Sequence, residues 1–254
     1  MNIFEAIILG LVQGLCEFLP VSSSGHLLLA RQIMGLSGEY LIFDVTAHVG
    51  TLIAVCIHFY KDILSLFTTD RKKLAYLMLS TVFAVVVGLV IKIFLPSVVE
   101  DTKYLGVNFI ICAIMLFLAQ IVSRKSNKTN PFSYKTAISM GLMQAVGVLP
   151  GISRSGSTIT GGIISNADKN EVASFSFLMS IPIILGSFLL ESVSVVSDGA
   201  MVIGTAPIIV GFVASFLSGL FAIKFMMKII KKANFLPFSV YLTIIGIIST
   251  VFFS

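Results

Sequence analysis

A chain of 254 residues that is 57% hydrophobic and only 11% charged falls well short of the roughly 25% charge of a soluble domain. With a mean hydropathy of +1.03, this excludes a soluble globular protein and indicates a polytopic membrane protein. The net charge of +5 does not point to a nucleic-acid partner, because the basic residues lie in short segments between apolar stretches, where the positive-inside rule puts them.

In chain order, the N-terminus MNIFEAIILG has neither a basic leader nor a cleavage site, so no signal peptide is expected. Residues 1–35 are apolar but interrupted by Pro20 and by the run Ser22, Ser23, Ser24, Gly25. Three continuous apolar stretches follow at 41–60, 74–95 and 104–123, each near the roughly 20 residues of one crossing. A second interrupted stretch, 136–166, carries Pro150 and its own Gly and Ser cluster, and three more spans are predicted at 172–191, 205–223 and 236–254. Neither half of either interrupted stretch is long enough to cross. Non-helical backbone at membrane depth survives only where protein or trapped water satisfies it, so each reads as a re-entrant hairpin lining a polar pocket. The expected fold is all-α: six transmembrane helices plus two re-entrant helical hairpins.

Sliding the chain over itself by 131 positions exposes an internal repeat. Gly10, Leu11, Gln13, Ser22, Ser24 and Gly25 fall on Gly141, Leu142, Gln144, Ser153, Ser155 and Gly156, and Gly88 and Leu89 fall on Gly219 and Leu220. The identities are few, but hairpins fall on hairpins and spans on spans from end to end, which common residues do not produce by chance. The expected organisation is one integral membrane domain, with repeat A at 1–123 and repeat B at 132–254. A unit of one hairpin and three spans crosses an odd number of times, so the second copy is inverted.

Loop charges test this independently. Lys61, Arg71, Lys72 and Lys73 share one loop, Arg124, Lys125, Lys128 and Lys135 a second, and Lys224, Lys228, Lys231 and Lys232 a third, so 12 of the 17 basic residues fall on one side. That side is expected to be cytoplasmic. The intervening loops carry Lys103 beside Glu100 and Asp101, or only Asp198. The first hairpin then starts from the outer face and the second from the cytoplasmic face. Inverted repeats with broken helices meeting near the midplane suit anionic ligands held at half-helix N-termini.

The chemistry sits in the hairpins. An acid near a bilayer centre costs about 2.5 to 3.5 kcal/mol, so Glu17 is expected to face a cavity, a partner or a substrate. Gln13 lies four residues before it, and on one helical face the two can hold a divalent cation with waters and substrate oxygens. His26 follows Ser22, Ser23 and Ser24 closely enough to polarise a hydroxyl or protonate a leaving oxygen. In the second hairpin, PGISRSGST places Arg154 among Ser153, Ser155, Gly156 and Thr158. A guanidinium fork with hydroxyls and amides at a helix start suits a phosphate. The competing reading is a buried Glu17–Arg154 ion pair, with Ser and Gly only allowing close helix packing. Asp44 and His48 of FDVTAHVGT share a helical face and read as supporting groups or pocket lining. His58 and Glu191 read as interfacial residues, and Glu5 as a helix-start or pocket-rim residue. Cys16, Cys56 and Cys112 lie in apolar segments without ligand spacing and read as small hydrophobic residues.

These segments resemble a known family. The pattern (E/Q)xxxE with FLPVSSSGH, here Gln13 and Glu17 through His26, the segment FDVxxHxGTL, here Phe43 to Leu52, and PGxSRSG, here Pro150 to Gly156, are similar to those of the undecaprenyl-diphosphate phosphatases of the bacitracin-resistance type, over the full length. The resemblance implies removal of the terminal phosphate of undecaprenyl diphosphate, which recycles the lipid carrier of peptidoglycan synthesis and confers bacitracin resistance. It also implies a divalent cation, Mg or Ca, and a bacterial plasma membrane protein whose site opens outward. On it, Gln13 and Glu17 are the metal or acidic motif, Ser23 and His26 the candidate nucleophile and its partner, and Ser153, Arg154 and Thr158 the phosphate binders; the hairpin hydroxyls and amides of Ser22, Ser24, Gly25, Ser155 and Gly156 are expected to add to the same phosphate site. Some members carry Glu where this chain has Gln13, a poorer ligand. The implied partners are a prenyl diphosphate and membrane lipids, with a homodimer left open.

Two alternatives compete. A second class of membrane lipid phosphatases also uses an SGH tripeptide, but needs a KxxxxxxRP segment and a histidine where this chain has Thr160. A transporter or flippase for a phosphorylated lipid suits an inverted repeat with broken helices.

Overall fold

The computed structural model describes residues 1–36, 40–94, 102–125, 130–198, 204–232 and 234–253. Glu100, Asp101 and Lys128, and the side chains of Lys125, Glu191 and Asp198, lie outside the described residues. The eleven α-helices described are α1 (Ile3–Phe18), α2 (Ser23–Ile33), α3 (Leu41–His58), α4 (Tyr60–Thr68), α5 (Arg71–Phe94), α6 (Leu105–Lys125), α7 (Tyr134–Val146), α8 (Arg154–Ile164), α9 (Lys169–Asp198), α10 (Thr205–Lys232) and α11 (Leu236–Phe253). A 3-10 turn, Thr102–Tyr104, leads into α6. Five of them, α3, α5, α6, α9 and α10, are long and apolar enough to cross a membrane among the described residues, and α11 is an apolar helix of 18 residues. The chain is an all-helical, multi-pass membrane protein.

Local chemistry sets the helix boundaries. At the start of α1 the Asn2 Oδ1 accepts the Glu5 N–H at 2.9 Å while the Glu5 carboxylate accepts the Asn2 N–H at 2.7 Å, a reciprocal cap. Glu5 is therefore a helix-start residue. Pro20 has no N–H to donate, and α1 stops two residues before it at Phe18. Ser22 then takes a φ of 72° and caps α2 through its hydroxyl. In the second hairpin Ser153 caps α8 in the same way, accepting the Gly156 N–H at 3.1 Å. The starts of α2 and α8, Ser23 and Arg154, are 131 positions apart.

Two elements depart from the sequence reading. The first span ends at His58, whose ring lies edge-on to Phe59, and the stretch read as a basic loop begins with α4. Phe59 at its N-cap and Leu66 are buried and Ile63 is partly buried, at helical spacing, while Tyr60, Leu64 and Phe67 stay exposed. The segment is an amphipathic surface helix that charge content alone disguised. The second departure is α9, 30 residues long with Pro182 inside it, where the missing N–H leaves the Leu178 carbonyl without its helical donor.

Helices approach closely where residues are small, as expected without a hydrophobic drive between helices in lipid. A Cβ added at Gly10 of α1 would meet the Gly211 carbonyl oxygen of α10 at 2.5 Å, and one added at Gly141 of α7 would meet the Ser80 carbonyl oxygen of α5 at the same 2.5 Å. Gly211 and Ser80 are also 131 positions apart. Gly106 of α6 and Gly246 of α11 make a third such contact. Phe18, Phe59 and Phe177 fill the interior by ring contacts of 5.5 to 5.7 Å, whereas Val86, Leu89, Phe117, Leu217 and Phe221 face outward.

Candidate active site

The two helical hairpins, α1/α2 and α7/α8, meet tip to tip. Ser153 and Ser155 donate their hydroxyls to the Leu19 carbonyl at 3.4 and 3.0 Å. A Cβ on Gly25 would lie 3.1 Å from Gly151 Cα, and one on Gly156 would lie 3.2 Å from Pro20 Cβ. Cys112 of α6 accepts the Ser153 N–H at 3.4 Å, and Asn108 donates to the Pro150 carbonyl at 2.7 Å. The turns are thus held from behind as well as against each other.

Beside this contact lies a cavity of about 360 Å3. Cys16, Glu17 and Ser22 to Ser24 line it from the first hairpin, and Gln144, Ser153 and Arg154 from the second. His48 of α3, Ala84 of α5, and Ile183, Ile184 and Ser187 of α9 complete the wall.

Glu17 and Arg154 form an ion pair across the hairpins. The Glu17 side chain is 2% exposed and that of Arg154 is 18% exposed, so the carboxylate is sealed while the guanidinium keeps a free edge toward the cavity. The other Glu17 oxygen accepts the Ser23 hydroxyl at 2.8 Å and the Gln13 Nε2–H at 3.1 Å. Ser23, the first residue of α2, therefore sits at a positive helix end with its proton directed at a carboxylate. That is the geometry of a nucleophile and its base.

His26 was expected to partner Ser23, and the structure does not bring the two together. His26 Nδ1–H donates to the Ser22 carbonyl at 2.8 Å, and Nε2 receives the Tyr241 hydroxyl at 2.7 Å. The ring stacks on Tyr241 and meets Phe109 edge-on, so both nitrogens are used outside the cavity. The histidine in the cavity is His48. Its Nδ1 is 2.8 Å from the Asp44 carbonyl, which selects the Nδ1–H tautomer and leaves Nε2 toward Glu17, 3.9 Å from the nearer oxygen. The Asp44 side chain is turned away and pairs with Arg31.

The expected phosphate-binding residues separate into two groups. Ser22, Ser24, Ser153 and Arg154 reach the cavity, with the Ser22 and Ser24 hydroxyls 3.3 Å apart. Gly25, Ser155 and Gly156 do not reach it, because they form the contact between the hairpin turns. Thr158 is 1% exposed and shares a 2.6 Å hydrogen bond with Ser176 of α9, one turn deeper than Arg154. These four build the platform.

Glu17 and Gln13 offer carboxylate and carboxamide oxygens, the donor types that suit a hard cation. Gln13 Oε1 is buried without a hydrogen-bond partner, and no three His, Cys, Asp or Glu residues cluster for a metal among the described residues. Of the two, Glu17 borders the cavity and Gln13 lies behind it, so a cation at Glu17 would take most of its ligands from water and substrate oxygens, as Mg characteristically does.

Sequence reasoning did not single out Gln144, Tyr241 or Arg31. Gln144 had a signal, since it falls on Gln13 in the repeat. Tyr241, 215 positions from His26, had none.

The family model for bacitracin resistance protein BacA matches residues 6–248. An undecaprenyl-diphosphatase of Carboxydothermus hydrogenoformans is 43% identical over 252 residues, covering 97% of this chain and 96% of that protein. Similar proteins of the same name occur in Halothermothrix orenii, at 34% identity over 97% of this chain and 96% of the relative, and in Treponema denticola, at 36% over 100% and 98%. With the match spanning both hairpins and the helices that hold them, the chain belongs to the bacitracin resistance protein BacA family.

Proposed function

We propose that this chain hydrolyses undecaprenyl diphosphate to undecaprenyl phosphate and phosphate, recycling the lipid carrier of peptidoglycan synthesis and conferring bacitracin resistance. Family membership and the names of the relatives support the reaction. The observation that carries the site is the convergence of a Glu17–Ser23 pair and Arg154, from separate hairpins, on one cavity.

In this mechanism the diphosphate enters with its terminal phosphate between Ser23 and Arg154. Arg154 neutralises charge as it develops on the phosphoryl oxygens. Ser23 Oγ attacks the terminal phosphorus as Glu17 takes its proton, the P–O–P bond breaks, and the lipid leaves as the monophosphate. Water then opens the phosphoserine, with His48 Nε2 as the acceptor for its proton. Gln13 holds the Glu17 carboxylate in place. A divalent cation held at Glu17, with Gln13 behind it, would add charge neutralisation at the diphosphate when bound. His26 acts from behind, fixing the Ser22 backbone next to Ser23.

The architecture we propose is an inverted-topology repeat, 1–123 and 132–254, of six crossings and two re-entrant hairpins in the bacterial plasma membrane, with the site open to the outer face. Its support is the common offset of 131 in the starts of α2 and α8 and in the close contacts of Gly10 and Gly141. The hairpin helices α1 and α2, of 16 and 11 residues, are about 24 and 16 Å long, short of a hydrocarbon core of about 30 Å.

Purified protein in detergent, given a short-chain prenyl diphosphate, tests the reaction with no membrane to cross. Phosphate release is expected, and a phosphoserine at Ser23 should be trapped by rapid acid quench. No release would favour a transporter or flippase. Near-normal release by Ser23→Ala would replace the covalent route with direct attack by water.

A further inference from the structure

Gln144 is 3% exposed, lines the cavity, and has no hydrogen-bond partner for either Oε1 or Nε2 among the described residues. A buried, unpartnered carboxamide is costly, and such groups are normally satisfied. Its counterpart across the repeat explains why this one is free. Gln13 spends its Nε2–H on Glu17, four residues on. The position four residues after Gln144 is Val148, which has nothing to accept a hydrogen bond. The second hairpin therefore keeps the glutamine without the carboxylate that would use it.

We propose that Gln144 is a binding residue for the phosphate that stays on the lipid, donating Nε2–H to one of its oxygens. This assignment rests on the phosphatase reading above. The terminal phosphate belongs beside Ser23, Glu17 and Arg154, where the attacking hydroxyl is. Gln144 lines the same cavity as that group, and its end of α7 packs against Arg154, since a Cβ on Gly147, three residues on, would meet Arg154 Cα at 2.8 Å. The apolar part of the cavity wall is made by Ala84, Val148, Ile183 and Ile184, with Ser187 one turn on from Ile183, and Val148 is 43% exposed. A prenyl chain leaving along that wall brings its own phosphate, the inner of the two, to the Gln144 amide. The Arg154 fork is already shared with Glu17, so a second phosphate needs a separate donor.

The test uses the full chain in detergent, comparing wild type with Gln144→Leu and the isosteric Gln144→Glu. The readouts are KM and kcat for a short-chain prenyl diphosphate, inhibition constants for the prenyl monophosphate and for inorganic phosphate, and Tm. For Gln144→Leu, KM and the monophosphate constant should rise together by about tenfold or more, with the inorganic phosphate constant and kcat little changed. Its Tm should equal or exceed that of wild type, because an unsatisfied buried amide has been removed. Gln144→Glu, which keeps the shape and sets a carboxylate against the phosphate, should raise both constants further. Unchanged KM and monophosphate inhibition in both variants would overturn the assignment. A fall in Tm with Gln144→Leu that tracks the loss of binding would overturn it in favour of a structural role, and so would a rise confined to the inorganic phosphate constant, in favour of the terminal subsite. Absence of phosphate release by wild type itself would overturn the phosphatase reading and this assignment with it, whereas the variants fail only the latter.

Discussion

At the scale of single residues, the Glu17–Arg154 pair has opposing consequences for stability and for chemistry. Removing one partner leaves the other charge buried and alone, so Glu17→Ala or Arg154→Ala should each lose about 3–5 kcal/mol. Replacing both, Glu17→Leu with Arg154→Met, should recover most of that in detergent unfolding, since well-packed apolar residues substitute readily for a buried pair. If the double variant were no more stable than the singles, the pair would not be the main interaction of either side chain. His26 makes a second case. With its nitrogens on Ser22 and Tyr241, Tyr241→Phe should cost about 1 kcal/mol, and His26→Ala more, with turnover falling in step with Tm. Loss of turnover at unchanged Tm in His26→Ala would return that ring to the chemistry. That Glu17, Ser23 and Arg154 come together was legible, because polar groups inside apolar sequence have few places to go. The orientation of His26 was not, since a residue one helical turn from Ser23 can face it or not, and the deciding group, Tyr241, lies in the last helix.

At the scale of elements, the hairpins are positioned by close helix contacts. Gly10→Val and Gly141→Val would drive side chains into carbonyl oxygens on α10 and α5 and should each cost about 1–3 kcal/mol or more. Gly186→Ala, in α9 with no atom within 4 Å of its added Cβ, should be neutral or stabilising by up to about 1 kcal/mol. Equal Tm values for all three variants would mean that these contacts do not position the hairpins. Both hairpins could be read from Pro, Gly and Ser inside apolar runs, and their turns fall where those residues lie. The helix α4 could not, because Lys61 and Asp62 mark a loop by charge while Phe59, Ile63 and Leu66 mark a helix by spacing, and the second pattern is short.

At the scale of the whole molecule, the proposed inverted repeat places the hairpin ends on opposite faces. In a variant lacking Cys16, Cys56 and Cys112, Gln32→Cys should react with an impermeant thiol reagent from outside and Asn170→Cys only from the cytoplasm. Both reacting from one side would remove the inverted topology. Apolar length in the sequence marked the five helices that are long and apolar enough to cross; α11, the sixth expected span, is an apolar helix of 18 residues, as long as α3.

The central claim is that both hairpins contribute to one diphosphate site. Its most direct test is phosphate release from a prenyl diphosphate, measured as a function of added divalent metal, for wild type, Glu17→Ala and Arg154→Ala, with Tm recorded for each so that folded protein is compared. We expect metal-stimulated release by wild type and a loss of at least a hundredfold, about 2.7 kcal/mol, in each folded variant, at every metal concentration. Release within a few-fold of wild type from either folded variant would contradict the shared site.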